Sequence, residues 1–177
     1  MNLVGSIALF NKETKRFLKV YQQTIVAPAF TSLLFLLVIN VALEDRTNYK
    51  FDYINFLAPG LVIMGMMQNS FANTSSSLLS SKVAGNIVDL LMPPFNINEI
   101  ILVYCSAAII RSILVGILTF LLMYPFVDFS FFNFTNIIIF SILGSSLLAF
   151  IGLIAGVWAE KFDNMSAITN FVITPLT

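Results

Sequence analysis

No charged side chain occurs at residues 20–43, 53–81, 112–127 or 129–159. A bilayer core about 30 Å thick is crossed by about 20 helical residues. Three of the four runs reach that length unaided. The run at 112–127 reaches it only if residues 100–110 are added and Arg111 is tolerated inside the membrane. Over all 177 residues, 58% are hydrophobic and 10% charged, whereas soluble domains carry about 25% charged residues. The chain is therefore expected to be an all-α integral membrane protein.

The remaining composition removes whole classes of function. Nine basic residues balance nine acidic ones, so the basic excess of a nucleic-acid binder is missing. One cysteine, Cys105, excludes an internal disulfide and a multi-thiolate metal site. There is no histidine to serve as base, relay or metal ligand. The first apolar run begins only after Lys12, Lys15, Arg16 and Lys19 and exceeds the length of a signal-peptide core, so it is expected to stay in the membrane.

Residues 3–21 read as an amphipathic helix. Leu3, Ile7, Phe10, Thr14, Phe17, Leu18 and Tyr21 recur at helical spacing, with Lys12, Lys15, Arg16 and Lys19 mostly opposite. Such a helix lies in the membrane interface, its cations near anionic headgroups. The first span is expected at 24–43, with Pro28 in its first turns, where proline is tolerated. A polar loop at 44–52 follows. The second span is expected at 54–79, with Pro59 near its start and a polar later half: Gln68, Asn69, Ser70, Asn73, Thr74, Ser75, Ser76 and Ser77. Small and amide side chains allow close approach and cross-helix hydrogen bonds. That face is expected against protein or along a polar path.

The third span, 97–125, opens on Asn96 and Glu99, a helix-start pattern. Arg111 falls about 20 Å along it. A mid-bilayer arginine costs about 3 kcal/mol on insertion scales, so it should face protein or water, or snorkel. A purely packed arginine and a substrate-facing one are both consistent with this. An aromatic loop at 127–136 leads to the fourth span, 137–159, which carries Gly144, Ser145, Ser146, Gly152 and Gly156. The Gly152-x-x-x-Gly156 spacing permits close helix contact. Glu160, Lys161 and Asp163 form a polar corner. Residues 164–177 then start an apolar helix of about 21 Å, too short to cross, so the fifth span is expected to be incomplete.

Between the second and third spans lies a charge-bearing island, residues 82–94. Val83, Ile87, Leu90 and Leu91 share one helical face and Lys82, Asn86 and Asp89 another; Pro93 and Pro94 end the helix. Four of the nine basic residues precede the first span, which places the N-terminus, this island and the 160–163 corner in the cytoplasm. The chain carries no phosphate-binding glycine loop, no nucleophile elbow and no zinc-protease motif. Its acidic residues all fall in or near loops, unlike the intramembrane carboxylates of ion-coupled transporters. If it transports, the energy should come from another subunit.

The chain resembles the membrane permease of type-2 ABC transporters, the exporter group for polysaccharides, lipo-oligosaccharides and drugs. The resemblance rests on ordered stretches: Lys12-Glu13-Thr14-Lys15-Arg16-Phe17 with Gln23-Thr24-Ile25-Val26-Ala27-Pro28; Leu57-Ala58-Pro59-Gly60-Leu61 and Gln68-Asn69-Ser70-Phe71-Ala72-Asn73; Gly85-Asn86-Ile87, Asp89-Leu90-Leu91 and Pro93; and Trp158-Ala159-Glu160-Lys161-Phe162-Asp163. It implies one transmembrane domain over 1–177, with an interfacial helix, four complete spans and the start of a fifth, of an expected six. It also implies a homodimer in the bacterial inner membrane, associated with two copies of an ATPase subunit. ATP and Mg would be bound by that partner, with no cofactor and no catalytic residue in this chain. Lys82, Asn86, Ile87, Asp89, Leu90, Leu91 and Pro93 would form the ATPase-coupling segment, with Glu160 and Asp163 beside it. Gln68, Asn69, Asn73 and Arg111 are candidates for the pathway or for helix packing. The alternative is a non-transporting membrane scaffold that binds a soluble partner through residues 82–94.

Overall fold

The structure is a computed structural model that describes residues 3–43, 50–127, 129 and 133–177. The described elements are helical. They are α1 (Leu3–Lys19), a π-helical turn (Gln22–Val26), α2 (Ala27–Leu43), α3 (Lys50–Val83), α4 (Ile87–Leu91), α5 (Ile97–Met123), α6 (Phe134–Trp158), α7 (Phe162–Ile168), a second π-helical turn (Thr169–Ile173) and α8 (Thr174–Leu176). The polar loop expected at 44–52 lies largely outside the described residues, as do Phe131 and Phe132 of the aromatic loop.

Both π turns stop just short of a proline, Pro28 and Pro175. A proline ring clashes with the carbonyl four residues earlier, and a widened turn relieves that crowding. Pro59 differs from the expectation. The helix begins at Lys50, so this proline lies inside α3 rather than in its first turns. The α1 end is tied down by Thr24, whose hydroxyl donates to the Phe17 carbonyl at 2.9 Å.

Among the described residues, three helical segments are long and apolar enough to cross a bilayer: Gln22–Ala42, Ile97–Met123 and Thr135–Trp158. Helix α3 has 34 residues, or about 51 Å, but its polar half sets it apart. That half is shielded by protein. Ser70, Asn73, Thr74, Ser75 and Ser77 are all buried, because α3 runs along both α5 and α6, with α2 also against it. The outward faces are apolar, including Phe30, Leu34 and Phe35 on α2 and Phe140, Leu143 and Leu147 on α6. This pattern suits lipid contact.

The α3–α6 seam depends on small residues. A Cβ added at Gly152 would lie 2.2 Å from Thr74 Oγ1 and 2.7 Å from the Phe71 carbonyl oxygen; at Gly156 it would lie 3.2 Å from the Ser75 carbonyl oxygen. Ser70 Oγ donates to the Ser145 carbonyl at 2.6 Å and Thr74 Oγ1 to the Ala149 carbonyl at 3.0 Å. The Gly152-x-x-x-Gly156 spacing is thus used for close contact. The aromatic loop is shorter than expected, since α6 already begins at Phe134. Phe129 folds back onto Phe120, with ring centroids 4.8 Å apart.

Candidate functional site

Three elements meet at one end of the bundle: α1, the α4 segment and the α6–α7 corner. The α4 segment follows from local chemistry. The Ala84 amide still donates to Ser80 and the Gly85 amide to the Lys82 carbonyl. Gly85 then takes φ +75°, a left-handed conformation that glycine adopts without a Cβ penalty and that ends helices. Asn86 leads into the single turn Ile87–Leu91. Pro93 and Pro94 prevent further winding. Helix α5 restarts at Ile97, where Glu99 Oε2 accepts the Asn96 amide at 3.2 Å.

The faces of α4 differ from the expectation in one consequential respect. Leu90 is 7% exposed and belongs to the apolar cluster of Leu9, Leu78, Val103, Tyr104, Cys105, Ala108, Ala149 and Leu153. It fastens α4 onto α1, α3 and α5 and is not presented for docking. Ile87 and Pro93 are half-buried, whereas Asn86 and Asp89 are exposed. The side chain of Leu91 lies outside the described residues. Val88 and Met92, four residues apart, are exposed at 51% and 79%. They are the apolar partners of Asn86 and Asp89 on the outer face. The missed signal was their spacing of four, which puts them on one side of a single turn.

Lys82 joins the island to the α6–α7 corner. Its Nζ donates to the carbonyl oxygens of Val157 and, at 3.1 Å, Ala159. These carbonyls are at the end of α6, where a cation meets both unpaired acceptors and the negative end of the helix dipole. Glu160 and Asp163 are exposed beyond that corner, and Asp163 lies in the first turn of α7, which favours an acidic residue. The Lys82→Met variant is expected to lose about 1 kcal/mol of stability. Amide hydrogen exchange should rise first around residues 155–161; unchanged exchange there would show that Lys82 does not hold this end.

Helix α1 has three faces, not the two expected. Lys12, Lys15 and Lys19 are exposed together, and Leu3, Val4, Ile7 and Leu18 form a separate exposed apolar strip. Leu9, Glu13 and Phe17 are buried at intervals of four. Arg16 departs from the other cations by turning inward. It donates through Nε to Glu13 Oε2 at 3.2 Å, and through Nη2 to the Asn73 backbone oxygen at 2.9 Å and to Asn73 Oδ1 at 3.2 Å. Glu13 Oε2 also accepts from Ser77 Oγ at 2.7 Å. Sequence reading overlooked the role of Glu13, because a lone carboxylate among lysines reads as a solvated residue.

The same cluster settles the surroundings of Arg111. Its Nη2 donates to Asn69 Oδ1 at 3.0 Å and its Nη1 to Asn73 Oδ1 at 3.5 Å. Asn69 Nδ2 donates to the Gly65 carbonyl at 2.9 Å. Asn69, Asn73 and Arg111 therefore form a buried interhelical network, whereas Gln68 points elsewhere, to Thr177 Oγ1 at 2.9 Å. Among the described residues, no group of His, Cys, Asp and Glu side chains is arranged to hold a metal ion.

A family model described as ABC-2 type transporter matches residues 6–177. The inner membrane transport permease YadH of Escherichia coli K12 is 33% identical over 172 residues, which cover 96% of this chain and 67% of that protein. The protein of the same name from Shigella flexneri matches to the same extent. No solved structure matches the chain.

Proposed function

Since the chain belongs to the ABC-2 type transporter family, as a multi-pass inner-membrane permease, we propose that it carries the transmembrane part of an exporter driven by a separate ATPase. In this reading α3 is a fourth crossing, its polar half shielded by α5 and α6. The N-terminus, α4 and the α6–α7 corner are cytoplasmic. Two permease copies pair, and each contacts one ATPase subunit that binds ATP and Mg. The cargo is a lipid-linked, saccharide-containing or hydrophobic compound, in keeping with apolar helix surfaces and few membrane charges.

One observation carries the reading: α4 presents Asn86, Val88, Asp89 and Met92 outward while Leu90 anchors it from behind. A short helix fastened on one side and exposed on the other transmits force without being torn loose. ATP-dependent motion of the partner would push α4 and so bias a two-state arrangement of the spans. Lys82 would pass that displacement to the end of α6.

The test is co-purification of the full-length protein with its ATPase subunit from membranes. Val88→Asp and Met92→Asp are each expected to reduce recovered ATPase at least about tenfold, the scale of losing an interfacial apolar anchor. Thermal stability in detergent should stay unchanged. If neither substitution changes the recovered ATPase, or if wild-type protein recovers none, the coupling role of α4 is wrong.

A further inference from the structure

We propose that α1 is held to the spans by an electrostatic latch centred on Asn73, and that Glu13 sets its strength. Two guanidinium groups, Arg16 from α1 and Arg111 from α5, donate to the same amide oxygen, Asn73 Oδ1, at 3.2 and 3.5 Å. Like charges thus converge on one amide oxygen; Arg111 is buried and the Arg16 side chain is 32% exposed, so water and salt screen the pair only in part. One carboxylate offsets them. Glu13 is 1% exposed and pairs with Arg16, while Arg111 is 93% buried and its hydrogen bonds run to amide oxygens alone. Asn73 Nδ2 and Arg111 Nε find no acceptor, so the network is short of negative charge and of acceptors.

The hold on α1 is therefore a difference between opposing terms. Glu13 attracts Arg16 and receives Ser77; Arg111 repels Arg16. Glutamine in place of Glu13 keeps the shape and an acceptor oxygen but removes the charge, leaving the repulsion uncompensated. Removing Arg111 has the opposite sign, because it relieves the repulsion and leaves Asn73 Oδ1 to Arg16. A merely structural polar cluster predicts otherwise, since every deletion from it should weaken the packing. Leu9 of α1 shares an apolar cluster with Leu90 of α4, so release of α1 would also loosen the seat of α4. The latch itself concerns only the described helices, and its test needs neither ATPase nor substrate. Its outcome is thus independent of the transport reading.

Cys105 supplies the probe. It is the one cysteine of the chain, it lies on α5 and is buried in the same apolar cluster as Leu9 of α1, and α1 packs against α5. In the full-length protein, with other cysteines replaced, alkylation by N-ethylmaleimide should track how often α1 lifts. Glu13→Gln is expected to speed alkylation on the order of tenfold. Arg111→Gln alone should slow it below wild type, and the double variant should return to the wild-type rate or slower. Circular dichroism showing undiminished helix separates release of α1 from unfolding. If Glu13→Gln does not fold, the single Arg111→Gln variant still decides the matter. Faster alkylation in Arg111→Gln, or a double variant faster than either single one, overturns the latch.

Discussion

Gly152→Leu is expected to push α6 away from α3 and to cost about 3 kcal/mol of stability or more. Even a methyl group at this position would meet the Phe71 carbonyl oxygen at 2.7 Å and the Phe71 Cα at 3.2 Å. Those are backbone atoms of a helix already hydrogen-bonded along its length, so they cannot rotate aside. Thr74 Oγ1, at 2.2 Å, could turn only by giving up its bond to the Ala149 carbonyl. A lipid-embedded seam has little hydrophobic drive to hold it, since tails are as apolar as leucine; close packing and hydrogen bonds must do so. Gly60 is the control, because a Cβ there meets nothing within 4 Å. Unfolding in mixed detergent micelles should separate Gly152→Leu from Gly60→Ala clearly. Equal midpoints for the two would mean that α3 and α6 do not meet at this glycine.

Leu90→Asp is expected to destabilise the folded protein by about 4 kcal/mol, as a lost core leucine plus a buried polar group. The side chain is 7% exposed and belongs to the apolar cluster that includes Leu78, Val103 and Tyr104. A carboxylate in that position has no cation offered by the cluster residues. Val88→Asp and Met92→Asp, on the opposite face, should leave the unfolding midpoint within experimental scatter. The contrast is diagnostic. A Leu90→Asp protein as stable as Val88→Asp would show α4 detached from α1, α3 and α5. It would then return Leu90 to the docking face that its amphipathic pattern suggests.

That pattern illustrates how far one dimension reaches. Helical spacing placed Val83, Ile87, Leu90 and Leu91 on one face, but the structure buries Leu90, half-buries Ile87 and leaves Val83 exposed, because the left-handed Gly85 breaks the helix between Val83 and Ile87. What the spacing did not reveal is which face of α4 is left exposed. An apolar stripe serves burial and docking alike, and only the neighbouring helices show which sites are already occupied. Arg16 teaches the same lesson from the polar side. In sequence it is one of four cations on α1; in space it leaves the lysines and pairs with Glu13 and Asn73. The polar half of α3 was legible as a protein-facing surface, but its partners were not. Asn69 and Asn73 lie 42 and 38 residues from Arg111, beyond any local pattern.

The charge-free runs, the prolines beside the helix breaks and the glycine spacing of α6 determined from sequence alone that this chain is a helical membrane protein, and roughly where its helices lie. These features act locally: proline and glycine impose backbone geometry, and a bilayer sorts segments by apolar length. The tertiary structure decided which polar groups are spent on holding helices together and which side chains remain exposed. Lys82, Glu13, Arg16, Asn73 and Arg111 are committed inside the bundle, while Asn86, Val88, Asp89 and Met92 are left outside. The reason is that burial and charge compensation depend on what lies across the interface, and residues distant in the chain supply it.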